Sequence, residues 1–136
     1  MDLSKILFIT GRGGLFELVS QTKTGAIVED MATGKRFPVF NNNKISVLEN
    51  ISIYRENSDI ALPELLKLIF KKENGGKCID HLASEDLIRG YMEEILPDFD
   101  DTQVHLSDMR KIFNWYNILN EKGMIDIEDD VTDTKE

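Results

Sequence analysis

Three groups of residues have types and spacings that invite a chemical reading, and each meets an obstacle in its own neighbourhood. Gly11-Arg12-Gly13-Gly14 has the composition of a phosphate cradle, because glycines let successive backbone N–H groups converge on an anion. Such a loop needs a Lys-Ser/Thr pair at its end and a helix after it. Here Leu15-Phe16-Glu17-Leu18-Val19 follows and reads as a strand, so the loop is expected to be a hairpin turn. Cys78 and His81 have C-x-x-H spacing and His105 adds a third candidate ligand, but a structural zinc site takes four ligands and the chain has a single cysteine. Asp98, Asp100 and Asp101 resemble the opening of a calcium loop. Counted from Asp98, Gln103 stands where the sharp turn needs Gly, and Met109 where a bidentate Glu is required.

No pairing of a nucleophile with a base is marked by spacing. Glu93 and Glu94 are adjacent on a helical pattern and therefore point in different directions. No catalytic residue, cofactor or metal is expected, and the chemistry left to account for is binding.

The elements that would carry it divide the chain. In the first part, glycines punctuate short β-type runs about every ten residues, a spacing that reads as tight antiparallel hairpins. Strands are expected at Leu3–Ile9, Leu15–Ser20, Ala26–Asp30 and Lys35–Phe40. The segment Met31-Ala32-Thr33-Gly34 forms a short hairpin loop in which Gly34 takes the left-handed position. Pro38 removes a donor from its strand, which points to an edge strand or a bulge there. Ile45–Leu48 is expected to form a short helical turn, and Ile51–Tyr54, which alternates apolar and polar residues, to be the strand that closes a five-stranded SH3-like barrel.

From Ala61 the hydrophobic period changes from two to 3.6. Leu62, Leu65, Leu66, Ile69 and Phe70 make one apolar stripe, with Pro63 suited to the first turn and Gly75-Gly76 to the stop. Ser84 is the expected N-cap of a second helix ended by Pro97, and a third begins at Ser107 and stops near Gly123. Tyr116 belongs to the stripe of that third helix, and Trp115 is expected to widen its buried face. The fold class is thus α+β: a barrel over residues 1–57, a helical region over 58–125, and an acidic tail over 126–136 expected to be disordered.

Charge follows the same division. Residues 1–57 carry seven Lys/Arg against six Asp/Glu, whereas residues 58–136 carry nine against nineteen, within a chain of 136 residues and net charge −9. An acidic surface repels phosphate backbones, so a nucleic acid would have to meet the first part. No apolar run reaches the roughly 18 to 20 residues of a membrane span, and the start lacks a basic region before its brief apolar run. A soluble cytoplasmic protein with no membrane partner is expected.

The segments Gly11-Arg12-Gly13-Gly14-Leu15-Phe16-Glu17-Leu18-Val19-Ser20 and Trp115-Tyr116-Asn117-Ile118-Leu119 resemble those of a group of uncharacterised bacterial proteins. In that group a small SH3-like barrel precedes a helical region, and the resemblance implies a fold without an activity. Gly11 to Phe16, followed by Ala32-Thr33-Gly34-Lys35, is also similar in order to the first barrel of the elongation factor P family, whose glycine loop presents a lysine to the ribosome. Arg12 stands in place of that lysine and no pair of oligonucleotide-binding barrels follows. The resemblance therefore implies a KOW-type barrel, a class that meets ribosomal RNA or protein.

Together these readings give a non-enzymatic binding or adaptor module with a protein partner. Association with RNA or the ribosome through the barrel is the alternative. Arg12, Phe16, Lys35 and Arg36 are the expected contact residues, because a barrel's turns are its accessible edges.

Overall fold

A computed structural model describes residues 2–40 and 44–125, which separate into two compact units, 2–51 and 52–125.

The first unit is one antiparallel sheet. Its strands are β1 (Ile6–Ile9), β2 (Phe16–Gln21), β3 (Gly25–Asp30), β4 (Arg36–Phe40) and β5 (Ile45–Val47), in the spatial order β4-β3-β2-β1-β5. Antiparallel pairs of residues face each other on one side of the sheet, and the pairs Leu7 with Phe16 and Val47, Leu18 with Val28, Val28 with Phe37, and Ala26 with Val39 define the inner face. Leu7, Ile9, Phe16, Val28 and Val39 are buried there, and Leu18, Ala26, Phe37 and Val47 pack against them. A register shift between Leu18 and Ser20 bends β2, as an extra residue in one strand does. The β3–β4 turn forms as its residues dictate. The Asp30 carboxylate accepts the Ala32 N–H at 2.8 Å, the Gly34 N–H bonds back to the Asp30 carbonyl at 2.7 Å, and Gly34 has φ +77°.

The sheet does not close into the expected barrel: among the described residues β4 and β5 are its two edges and are not paired with each other. The segment expected to close it behaves differently. Ser52–Tyr54 is β6 and pairs with β7 (Asp59–Ala61) in a separate two-stranded sheet. Its turn is drawn tight by the Arg55 N–H on the Ser58 carbonyl at 2.8 Å. Pairing with a strand so near in sequence closes a much shorter loop than a return to the sheet, and loop closure costs entropy that grows with length. Ile45–Val47, expected to turn helically, is instead a strand, because Ile45 and Val47 alternate with Ser46 and so present two β-branched side chains to one face of β1's partner position. The helical turn comes just after it, as a 3-10 turn at Leu48–Asn50. β1 begins at Ile6 rather than Leu3, since Asp2 to Ile6 is a turn in which the Ile6 N–H bonds to the Leu3 carbonyl.

In the second unit α1 (Leu62–Lys72), α2 (Glu85–Ile95) and α3 (Leu106–Glu121) follow the hairpin. Pro63 lies in the first turn of α1, where its missing N–H has no partner to lose. Asn74 (φ 54°) ends the helix one residue before the expected glycine pair. Its N–H bonds to the Lys71 carbonyl and that of Gly75 to the Phe70 carbonyl, which satisfies two terminal carbonyls. Gly123 and Met124 repeat the arrangement on Asn120 and Leu119. Ser84 caps α2 through the Leu87 N–H, as its side chain predicts. Helix α3 starts at Leu106, with the Asp108 carboxylate accepting the His105 N–H at 3.0 Å. Leu65, Leu66, Ile69, Ile88, Met92, Met109, Ile112, Phe113, Trp115, Tyr116 and Leu119 are buried, so Trp115 does widen the buried face. The tail 126–136 lies outside the described residues. No helix among them is long and apolar enough to cross a membrane.

One ion pair ties the hairpin to the segment after α2. Arg55 donates through Nε to both Asp98 oxygens at 3.0 and 3.1 Å, with its terminal nitrogen 2.9 Å from Oδ2, while Arg55 and Phe99 form a β-bridge. The hydrogen bond from Arg55 is the main reason the Asp98 carboxyl sits below its ordinary value of 3.8. A carboxylate with a lowered folded value adds stability above its unfolded value and loses it as the pH falls through the folded one. Asp98→Asn is therefore expected to flatten the acid side of the stability curve below about pH 4. Urea unfolding of both chains across that range measures it.

Candidate binding surface

The open sheet leaves a groove of about 520 Å³ lined by Leu7, Leu18, Ala26, Phe40, Ile45 and Val47, with Ser4, Gln21, Thr22 and Gly25 at its polar margin. Four of the six apolar residues belong to the inner face. Phe40 and Ile45 come from the ends of the two unpaired edge strands, and Phe40 is 53% exposed. An exposed aromatic ring at the mouth of an apolar groove is the kind of surface that gains most when a partner covers it.

Successive antiparallel strands reverse direction, so the β1–β2 loop and the β3–β4 turn lie at the same end of the sheet. Arg12, Lys35 and Arg36 are thereby brought together at that end, all exposed. Lys44 joins them, since its carbonyl accepts the Thr10 N–H at 3.0 Å beside the loop. Arg12 lies over the Phe37 ring, 4.5 Å from its centroid, and Phe37 meets Phe16 edge to face at 5.7 Å. The guanidinium thus caps the inner face. Arg36 is neutralised by Glu29 at 2.9 Å. Asp30, the other carboxylate of the turn, accepts the N–H groups of Ala32 and Thr33.

Phe16 does not stand where the sequence reading put it. It is 2% exposed, because it falls on the inward parity of β2 with Leu18, and its part is to seat Phe37 beneath Arg12. Lys44, Phe40 and Ile45 were missed. The signal available for them was the polar run Asn41-Asn42-Asn43-Lys44 between two strands, which reads as a plain connection until the sheet is known to be open on either side of it.

The second unit has a polar hollow of about 300 Å³ lined by Lys77, Cys78, Asp80, His81, Asn114, Asn117, Ile118 and Glu121. Asn117 in its wall, with Asn120 and Arg110 of the same helix, holds the 75–83 loop on α3. Asn117 accepts the Cys78 N–H at 2.9 Å and donates to the Ile79 carbonyl at 3.3 Å, Asn120 donates to Gly75, and Arg110 donates to the carbonyls of His81 and Ala83 at 2.7 and 2.8 Å. The Cys78 thiol is buried against the Phe113 carbonyl, and desolvation, with the nearby Glu73 charge, pushes it up to about 12. Thiolate is the reactive form, so Cys78 is expected to resist alkylation near pH 8 in the folded chain and to react at the rate of a free thiol in denaturant, as mass-shift kinetics would show. His105 is at the start of α3, and no three His, Cys, Asp or Glu side chains converge on a metal position among the described residues.

Residues 51–119 match the family described as Domain of unknown function (DUF6852), and residues 3–48 match that described as Domain of unknown function (DUF5606). The chain is also similar to a protein from Bacteroides vulgatus whose solution NMR structure was a structural genomics target. The two are 38% identical over 92% of this chain and 90% of that one, with a TM-score of 0.75. No curated protein is matched.

Proposed function

Because this chain belongs to the family described as Domain of unknown function (DUF6852), whose description assigns no activity, we propose from the geometry of its sheet that it is a cytoplasmic, non-enzymatic binding module with a protein partner. The observation that carries this reading is the groove. Apolar side chains from five strands line it, an exposed phenylalanine stands at its mouth, and three cations without a carboxylate partner among the described residues lie at one end of the same sheet. Desolvation of apolar surface is the dominant favourable term in most protein association, and aromatic residues are the usual anchors of interfaces.

The test is affinity purification of the full chain at two salt concentrations beside Ile45→Asp and Phe40→Ala. A protein retained at both salts by the parent and lost from the variants supports the module. Identical partners on parent and variants overturn it.

A second reading has its own support. The strand order would give a small SH3-like barrel of the KOW type if the two edges met, and Arg12, Lys35 and Lys44 sit at one end without carboxylate partners among the described residues. On that reading the ligand is RNA or the ribosome, and binding weakens steeply with salt because counterions are released on association. The net charge of −9 opposes it.

A further inference from the structure

The groove and the cationic end meet at the start of β5, on one edge of the sheet. The groove's lip at Ile45 is followed at once by Lys44, whose carbonyl is bonded to Thr10 two residues before Arg12. A segment lying along this surface meets an apolar hollow first and positive charge after it.

The charges there are available. Arg36 is satisfied by Glu29 and Asp30 by the turn's own N–H groups, whereas Lys35 and Lys44 have no carboxylate partner among the described residues and Arg12 is matched only to the face of an aromatic ring. An ammonium or guanidinium left in this state beside the sheet edge where Lys44 adjoins Ile45 of the groove favours carboxylates and repels basic segments. It thereby selects the partner's charge as the groove selects its hydrophobic side chain.

From this juxtaposition we propose that the sheet recognises an acidic peptide segment that carries a large apolar side chain, the side chain seated between Leu18, Phe40 and Ile45 and the carboxylates meeting Lys44, Arg12 and Lys35. The inference rests on the binding-module reading and goes beyond it by fixing the chemistry of the partner. RNA is the less favoured occupant because Leu7, Leu18, Ala26, Phe40, Ile45 and Val47 give the groove apolar walls that a phosphate backbone would leave unused.

The experiment is selection of a random peptide library against the full chain, followed by affinity measurement of the enriched peptides on the parent, Lys35→Glu, Lys44→Glu and Ile45→Asp. Retained amide spectra certify that each variant folds. Lys35 and Lys44 hold no described side-chain contact, so their reversal tests charge without disturbing the cation over Phe37. Enrichment of Asp and Glu around Leu, Ile or Phe is expected, with affinity reduced about tenfold by Lys35→Glu and Lys44→Glu combined in one chain, more at low salt than at high, and reduced further by Ile45→Asp. Enriched peptides that are neutral or basic but still lose affinity to Ile45→Asp would overturn the acidic partner while leaving the binding module standing. Failure to enrich any peptide, together with salt-sensitive binding of a single-stranded RNA probe that Lys44→Glu abolishes, would overturn both.

Discussion

Gly25→Ala is expected to unfold the pairing of β3 with β4. A Cβ placed on Gly25 would lie 1.9 Å from the Val39 carbonyl oxygen and 2.8 Å from the Phe40 Cα, and both obstacles are backbone, which cannot swing aside as a flexible side chain would. Two effects oppose each other. Alanine loses less conformational freedom than glycine on folding, a gain of up to about 1 kcal/mol. Overpacking against a backbone costs about 1–3 kcal/mol and sometimes more, so the clash wins and the variant is destabilised by roughly 2 kcal/mol on this balance. Gly13→Ala is the internal comparison: nothing lies within 4 Å of its added Cβ and its backbone is not left-handed. That variant is expected to be unchanged or more stable by about 0.5 kcal/mol. Hydrogen exchange at the amides of residues 25–40, read for both variants, separates the two outcomes. Unchanged protection in Gly25→Ala would contradict the close approach of the two strands.

Tyr116→Ala is expected to have the larger effect, about 3–5 kcal/mol by comparison with other fully buried aromatic truncations. Its ring is fully buried and its hydroxyl donates to the Gly76 carbonyl at 2.8 Å, so it both fills the core and holds the loop that follows α1. Tyr116→Phe keeps the ring and loses one hydrogen bond, a change of about 1 kcal/mol. Asn117→Ala leaves the Cys78 N–H without its side-chain acceptor and falls between the two, at about 1–3 kcal/mol. Equilibrium unfolding should order the three as Tyr116→Phe, Asn117→Ala, Tyr116→Ala. Any other order would mean that the loop is held by something other than this pair. Tyr91 is a related case: its hydroxyl bonds to the Glu73 carboxylate and its ring meets Phe113 edge to face at 5.1 Å. Burial first and that hydrogen bond second keep the phenol strongly protonated.

The helices were legible in the sequence because their signals are local. Pro63, Ser84 and Gly123 each act within one turn of their own position, and the 3.6 period of Leu62 to Phe70 needs no distant partner to be recognised. The hairpin through Met31–Gly34 was legible for the same reason. What failed was non-local. Ile51–Tyr54 has the alternation of a strand whether it pairs with β1 or with Asp59–Ala61, and alternation does not encode the choice of partner. Ile45–Leu48 is too short for periodicity to separate a strand from a helical turn. On the candidate surface, Arg12, Lys35 and Arg36 were legible as turn residues, whereas the inward parity of Phe16 and the exposure of Phe40 depend on which face of the sheet is covered.

Pro38 bears on a different property of the open sheet. It lies in the middle of β4, the edge strand, where it has no N–H to offer a neighbouring chain, and charged Arg36 precedes it by two residues. The opposite edge, β5, is three residues long. A sheet that leaves its rims unjoined exposes templates for runaway strand addition, and short edges, prolines and charges are the usual defences against it. The sheet can therefore stay unjoined at its rims while denying other chains a continuous ladder on which fibrils or precipitates would grow.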